Sequence, residues 1–178
     1  MEMKRLFVAV EIPQLTRKKI SQFSSQLKDK DIRLVDEKNL HITLRFIGEV
    51  PEQNVEEIKE KLNKIKENKF ECKIEGVGVF PNENYIRVIW VGIISDGLKK
   101  VAKKIDEVLA GIGKKEDREF SAHLTIGRVN KKTDLKKFLE ENKNINFGSF
   151  EVDKFVLFES KLTPNGPIYT KLAEFELI

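Results

Sequence analysis

His41-Ile42-Thr43-Leu44 and His123-Leu124-Thr125-Ile126 are the same four-residue phrase, His–apolar–Thr–apolar, written twice in one chain. They contain the only two histidines of the protein. In a β-strand, residues i and i+2 share one face and i+1 and i+3 the other. His41 and Thr43 are therefore expected to look out from a strand whose Ile42 and Leu44 are buried behind them. His123 and Thr125 repeat the arrangement in front of Leu124 and Ile126. Two such strands, one per lobe, would set two imidazoles across a cleft. By the same alternation Arg45 falls on the face of His41. Arg128 would face away from His123 unless a bulge or the strand end near Gly127 redirects it.

Working outward, strand-like and helix-like stretches alternate. Leu6 to Val10 reads as a first strand. Ile20, Phe23 and Leu27 give Thr16–Leu27 a helical stripe, and His41 to Ile47 is a strand closed by Gly48. Pro51 opens a helix carrying Val55, Ile58, Leu62 and Ile65 on one side. Phe70–Val79 and Tyr85–Val91 form a hairpin about Phe80-Pro81-Asn82-Glu83-Asn84. A helix over Asp96–Ala110, a strand over Phe120–Arg128 and a short helix over Thr133–Glu140 follow. Two closing strands, Phe147–Phe158 and Ile168–Phe175, flank Pro164-Asn165-Gly166-Pro167. The hairpins predict an α+β fold with mainly antiparallel sheets. No linker divides it, so residues 1–178 are expected to form one bilobal domain.

Composition narrows the function. The 178 residues are 40% hydrophobic and 35% charged, enough for a core and incompatible with a disordered chain. The net charge of +4 is compatible with a polyanionic substrate without demonstrating one. One cysteine, Cys72, excludes an intramolecular disulfide and a cysteine-rich zinc site, and a buried small hydrophobe is its expected role. No stretch reaches a membrane span, so a cytoplasmic protein without membrane contact is expected, with a monomer as the default. The Lys and Glu loading leans towards a thermophile. Lysine pairs at 99–100, 103–104, 114–115, 131–132 and 136–137 are interleaved with acids and read as solvated faces before they read as an RNA track. Phe7, Phe80 and Tyr85 are candidates to stack a base beside the cleft, with core packing the commoner use of such residues.

The chemistry of two opposed imidazoles is proton transfer. HExxH and further ligands at metal spacing are absent, as are a GxSxG elbow and a Walker lysine, so neither a metal nor a cofactor is expected. One neutral and one protonated imidazole can take a proton from an attacking water and give one to a departing oxygen. Phosphodiester cleavage requires that pair of transfers. Thr43 and Thr125 can hydrogen-bond the non-bridging oxygens, and an arginine can counter the developing charge. The two motifs are interchangeable until a substrate is oriented between them.

With these motifs the chain resembles the two-histidine (2H) phosphoesterase superfamily, and within it the RNA 2′,3′-cyclic phosphodiesterases also described as 2′-5′ RNA ligases. The likeness extends through Lys4–Val10, Asn39–Val50, Gly78–Pro81, Arg87–Gly92 and Phe120–Arg128. Ala122 stands where the family often has proline, which removes no functional group. The resemblance implies two sheets with outer helices related by a pseudo-twofold axis around a central cleft. It implies metal-independent hydrolysis of RNA 2′,3′-cyclic phosphate ends to 2′-phosphomonoesters, with 2′-5′ ligation as a secondary activity and tRNA fragments among the candidate substrates. Carried over by position, His41 is the proton donor and His123 the proton acceptor, Thr43 and Thr125 bind phosphate, and Arg128 is the family's basic residue. Arg45 joins the phosphate-binding set on parity alone. A small cyclic nucleotide substrate and a non-catalytic RNA-binding module are the alternatives.

Overall fold

The apolar run Leu6–Val10 is buried on both of its faces, and the fold is built around it. The computed structural model describes residues 1–28, 31–114, 120 and 122–178. Ser121, within the strand expected over Phe120–Arg128, and Lys115, of one lysine pair, lie outside them. In chain order the elements are β1 (Met3–Glu11), α1 (Gln14–Ser24), β2 (Ile32–Leu34), β3 (His41–Pro51), α2 (Val55–Asn63), β4 (Phe70–Asn82) and β5 (Tyr85–Ile94). Then come α3 (Asp96–Val108), β6 (His123–Val129), α4 (Lys136–Asn142), β7 (Asn146–Val152), β8 (Lys154–Thr163) and β9 (Gly166–Glu176).

Two antiparallel sheets result, with strand orders β3-β1-β8-β9 and β2-β6-β5-β4-β7. The α+β expectation is met. Leu6, Val8 and Val10 of β1 turn to a core shared with Ile89 and Val91 of β5 and with the buried stripes of the helices. Phe7 and Ala9 turn to the opposite face, against Val156 and Phe158. Each fully buried Leu, Val or Phe contributes roughly 1.5–3 kcal/mol, so this central run anchors the lobe. Ile58 and Leu62 seat α2, while Leu98, Val101 and Ile105 seat α3. Ser95 begins α3 by accepting from the Leu98 amide at 3.4 Å while donating to the Glu71 carbonyl at 2.9 Å.

The registers relate the sheets strand by strand. Thr43 pairs with Ala9, and Thr125 with Trp90; Phe46 pairs with Phe7, and Arg128 with Val88. One strand further on, Phe7 pairs with Phe158, and Val88 with Phe80. Phe158 and Phe80 thus hold equivalent places beside β3 and β6. The third strand of each half is exchanged: β4 completes the sheet of β5 and β6, and β8 completes the sheet of β1 and β3.

Several boundaries differ from the sequence reading. Phe147–Phe158 is two strands, because the chain leaves the five-stranded sheet at Asp153 and enters the four-stranded one at Lys154. Apolar residues on both sides of Asp153 hide that change of sheet. β2, only three residues long, is too short for any periodicity to register. Gly48 does not close β3; its φ of +88° serves a bulge within the strand, which runs on to Pro51. α4 starts at Lys136 because the Asp134 carboxylate accepts from the Lys136 amide at 3.0 Å, holding residues 133–135 in a turn.

Candidate active site

Both His-x-Thr-x phrases carry a β-bulge at their fourth residue. Ala9 pairs with Thr43 and Val8 with Arg45, leaving Leu44 as the extra residue of β3. Trp90 pairs with Thr125 and Ile89 with Gly127, leaving Ile126 as the extra residue of β6. A bulge holds two successive side chains on one side of the strand. In β3 those are Leu44 and Arg45, both buried; in β6 they are Ile126 and Gly127. The next residue returns to the histidine face, and that residue is Phe46 in one strand and Arg128 in the other.

The bulges decide the fate of both arginines. Arg128 reaches the cleft, because the bulge restores the parity that strict alternation denied it. Arg45 does not join His41, and the parity argument placed it on the wrong face. It is 8% exposed, with Nη1 donating to Asp106 Oδ1 at 2.7 Å and Nη2 donating to the Ile112 carbonyl at 3.3 Å. It ties β3 to the end of α3, away from the cleft.

His41, Thr43, His123, Thr125 and Arg128 line one cleft of about 680 Å³. Arg33 and Asp36 form part of its wall, and Asn39 another part. The hairpin between β8 and β9 supplies Thr163, Asn165 and Pro167. Asn39 Nδ2 donates to the Pro167 carbonyl at 3.3 Å, binding that hairpin to the turn before His41.

Each imidazole is packed on two rings, one of them carried by an exchanged strand. His41 lies 4.7 Å from Phe158 and 5.7 Å, edge to face, from Tyr169. His123 lies 4.0 Å from Trp90 and 5.1 Å, at right angles, from Phe80. Trp90 fits there because position 78 is glycine; a Cβ on Gly78 would stand 2.2 Å from the indole. Burial lowers the pKa of both histidines. At His41 the Asn39 carbonyl and the Glu11 carboxylate oppose that effect, while Arg17 and Lys171 reinforce it. His41 Nδ1 is buried without an aligned hydrogen bond. Burial also raises the pKa of the Tyr169 hydroxyl.

Among the described residues, no group of three or more His, Cys, Asp or Glu side chains is placed to hold a metal ion. The arrangement can give and take protons at two points and bind an anion between them. The LigT like phosphoesterase family matches the chain twice, over residues 10–90 and 91–169. The chain belongs to that family. As a LigT like phosphoesterase it acts on phosphate esters.

Curated relatives named RNA 2′,3′-cyclic phosphodiesterase agree over nearly the whole length. One from Methanocaldococcus jannaschii is 45% identical over 96% of this chain and 99% of its own. Another, from Archaeoglobus fulgidus, is 39% identical over 97% and 99%. Among solved structures, Escherichia coli LigT complexed with 3′-AMP matches with a TM-score of 0.84 at 25% identity, covering 99% of both chains. A protein of Thermus thermophilus matches with a TM-score of 0.82 at 28% identity, covering 97% of both. The two matched segments of this LigT like phosphoesterase meet between β5 residues Trp90 and Val91. Phe80 and Phe158 thus come one from each segment, and each packs on the other segment's histidine.

Phe7 is not a stacking surface of the LigT like fold. It is buried, stacked on Phe158 at 5.1 Å and closed off by Tyr169. Phe80 and Tyr85 remain exposed. The lysines of α3 sit on its outer face, where Lys104 pairs with Glu67 at 2.8 Å, and none lines the cleft. Arg33, Tyr169 and the β8–β9 hairpin were not read from the sequence. They reach the site through β2, a three-residue strand, and through a hairpin far along the chain. Only the turn signal Pro164-Asn165-Gly166-Pro167 hinted at the latter. No helix among the described residues is long and apolar enough to cross a membrane.

Proposed function

We propose that the protein hydrolyses RNA 2′,3′-cyclic phosphate ends to 2′-phosphomonoesters, without a metal ion. The observation that carries this reading is that two His-x-Thr pairs, bulged alike, line one cleft together with Arg128. Water attacks the phosphorus as His123 takes its proton. The bond from phosphorus to the 3′-oxygen breaks, and His41 protonates that oxygen. The product carries a 2′-phosphate and a free 3′-hydroxyl. Thr43 and Thr125 hydrogen-bond the non-bridging oxygens, and Arg128 offsets the charge that builds there.

The assignment of His41 as the acid and His123 as the base follows the family resemblance of the two motifs, since burial lowers the pKa of both imidazoles. The names of the curated relatives support the RNA cyclic phosphate as substrate. When an RNA 5′-hydroxyl replaces water, the same transfers form a 2′,5′ junction; hydrolysis dominates because water is in excess. The fold is proposed to act as one bilobal unit over residues 1–178, as a monomer in the cytoplasm. The test is turnover of an oligoribonucleotide ending in a 2′,3′-cyclic phosphate, in EDTA, by wild type, His41→Ala and His123→Ala. Conversion to a 2′-phosphate, reduced at least about 10²-fold in each variant, is expected. Full activity in either variant would sink the assignment.

A further inference from the structure

The cleft face of the five-stranded sheet continues beyond the catalytic pairs as a lateral row. Arg33 of β2 pairs with Arg128 of β6, Arg128 with Val88 of β5, and Val88 with Phe80 of β4. A second bulge lies at this row: Ile86 pairs with Pro81 and Val88 with Phe80, leaving Arg87 as the extra residue. Ile86 and Ile89 are buried in the core. Arg87 and Val88, between them, therefore both turn to the side of Trp90 and His123, as does Tyr85 before Ile86.

The end of this row is open and aromatic. Tyr85 is 52% exposed and Phe80 41% exposed. The Arg87 guanidinium lies 4.9 Å over the Tyr85 ring and donates to its hydroxyl. Among the described residues, Arg33, Arg87 and Arg128 make no salt bridge, whereas Arg45 on the other side of the same fold makes one at 2.7 Å. Asp36 is the one carboxylate among the described residues lining the cleft, and Glu83 stands in the turn beside Tyr85. Arginines without a carboxylate partner among the described residues, interleaved with exposed rings and in continuity with the cleft, match a single-stranded polynucleotide.

We infer that Arg87, with the Tyr85 and Phe80 rings, forms a subsite for the nucleotide 5′ to the cyclic phosphate end, holding its phosphate and stacking its base. The inference rests on the RNA reading of the cleft and deepens it. Arg128 and Arg33 line the cleft itself, whereas Arg87 lies outside that lining on the adjacent strand, about 5 Å across the sheet. A chain running from the cleft across β5 would bring its next phosphate to Arg87. The four-stranded sheet has an arginine–ring pair of its own but no exposed ring on this face. The position equivalent to Arg128 is Phe46, covered by Arg5 at 4.8 Å, and its neighbours Phe7 and Phe158 are buried. The chain is thereby bound on one side of the pseudo-twofold axis.

The test compares adenosine 2′,3′-cyclic phosphate with a tetranucleotide ending in the same group, using wild type, Arg87→Ala and Tyr85→Ala. Wild type should prefer the tetranucleotide in kcat/KM, and each variant should lower that preference about tenfold, through KM. Arg87→Ala should also reduce the slope of log kcat/KM against log salt by about 0.7 on the tetranucleotide. Equal losses on both substrates, or an unchanged preference, would overturn the subsite while leaving the hydrolytic reading intact. Binding of a tetranucleotide ending in a 2′-phosphate, followed by fluorescence anisotropy, separates the two claims. Weaker binding by Arg87→Ala with no hydrolysis by wild type would uphold the subsite and reject the reaction. Unaltered binding would reject the subsite.

Discussion

Arg45 Nη1 donates to Asp106 Oδ1 at 2.7 Å, so the arginine two residues beyond the threonine of the first motif belongs to the framework and not to the cleft. Its guanidinium is buried against half-exposed Asp106 and two carbonyls of the segment after α3. Arg45→Ala is expected to cost about 2–3 kcal/mol in urea unfolding, since the carbonyls lose a donor and the packed stem is lost. Asp106→Ala should cost less, about 1 kcal/mol, because its carboxylate is largely in solvent and the two carbonyls remain as acceptors. Arg45→Lys should recover little, because one ammonium cannot reproduce the planar fork. An Arg45→Ala protein of unchanged stability but raised KM would return Arg45 to the substrate.

Trp90 stands between Gly78 and His123. An alanine at 78 would set its Cβ 2.2 Å from the indole, a separation that forces the ring to move. Gly78→Ala is therefore predicted to shift Trp90 away from His123, now 4.0 Å distant, and to lower kcat about tenfold or more. Trp90 is the sole tryptophan, so its emission maximum should shift in the same variant. Normal kcat with an unaltered emission spectrum would show that the ring does not orient the imidazole.

Burial holds both histidines below their ordinary pKa of 6.5. The free enzyme's kcat/KM should trace a bell whose maximum lies on the acid side of that value. Stability carries the same signature. The unfolded chain binds more protons than the folded one between the lowered pKa values and 6.5, so stability rises with pH through that window. It is fully present above 6.5, falls as acid protonates the imidazoles of the unfolded chain, and levels off once the folded ones are protonated too. Urea midpoints at pH 7.5 and 5.5 should differ in wild type and converge in a His41→Asn, His123→Asn double variant. A maximum well above pH 7 would contradict the buried setting.

Cys72 is fully buried in β4, and burial pushes its thiol up to about 12. At pH 8 almost no thiolate exists and no reagent reaches it. Ellman's reagent should leave the native protein unmodified for hours and titrate one thiol in denaturant. Fast reaction of the native protein would reveal an opening of the five-stranded sheet.

The His-x-Thr pairs that line the cleft were legible because a strand's period of two needs only four residues to declare itself, and there were only two histidines to place. Helices with long apolar stripes, such as Ile58–Leu62 in α2 and Leu98–Ile105 in α3, were legible for the same reason at period 3.6. Arg45 was not, because its parity turns on a bulge, whereas the return of Arg128 was foreseen only on the expectation of a bulge or strand end near Gly127, which β6 supplies at Ile126. A bulge is one unpaired residue opposite another strand; nothing in His-Ile-Thr-Leu-Arg marks it, whereas Gly127 hints at one in His-Leu-Thr-Ile-Gly-Arg. Asp153 escaped for a related reason, since apolar residues continue on both sides while the chain changes sheets.

The amino-acid order alone determined the α+β class, the paired His-x-Thr strands and the chemistry two imidazoles can perform, because each depends on local alternation and on residue type. Tertiary structure alone decided that β4 and β8 are exchanged between the sheets, setting Phe80 beside His123 and Phe158 beside His41. It also decided that one arginine faces the cleft while its near counterpart braces a helix. Those outcomes depend on which strands pair and where their registers slip, and pairing energy is shared between segments distant in the chain.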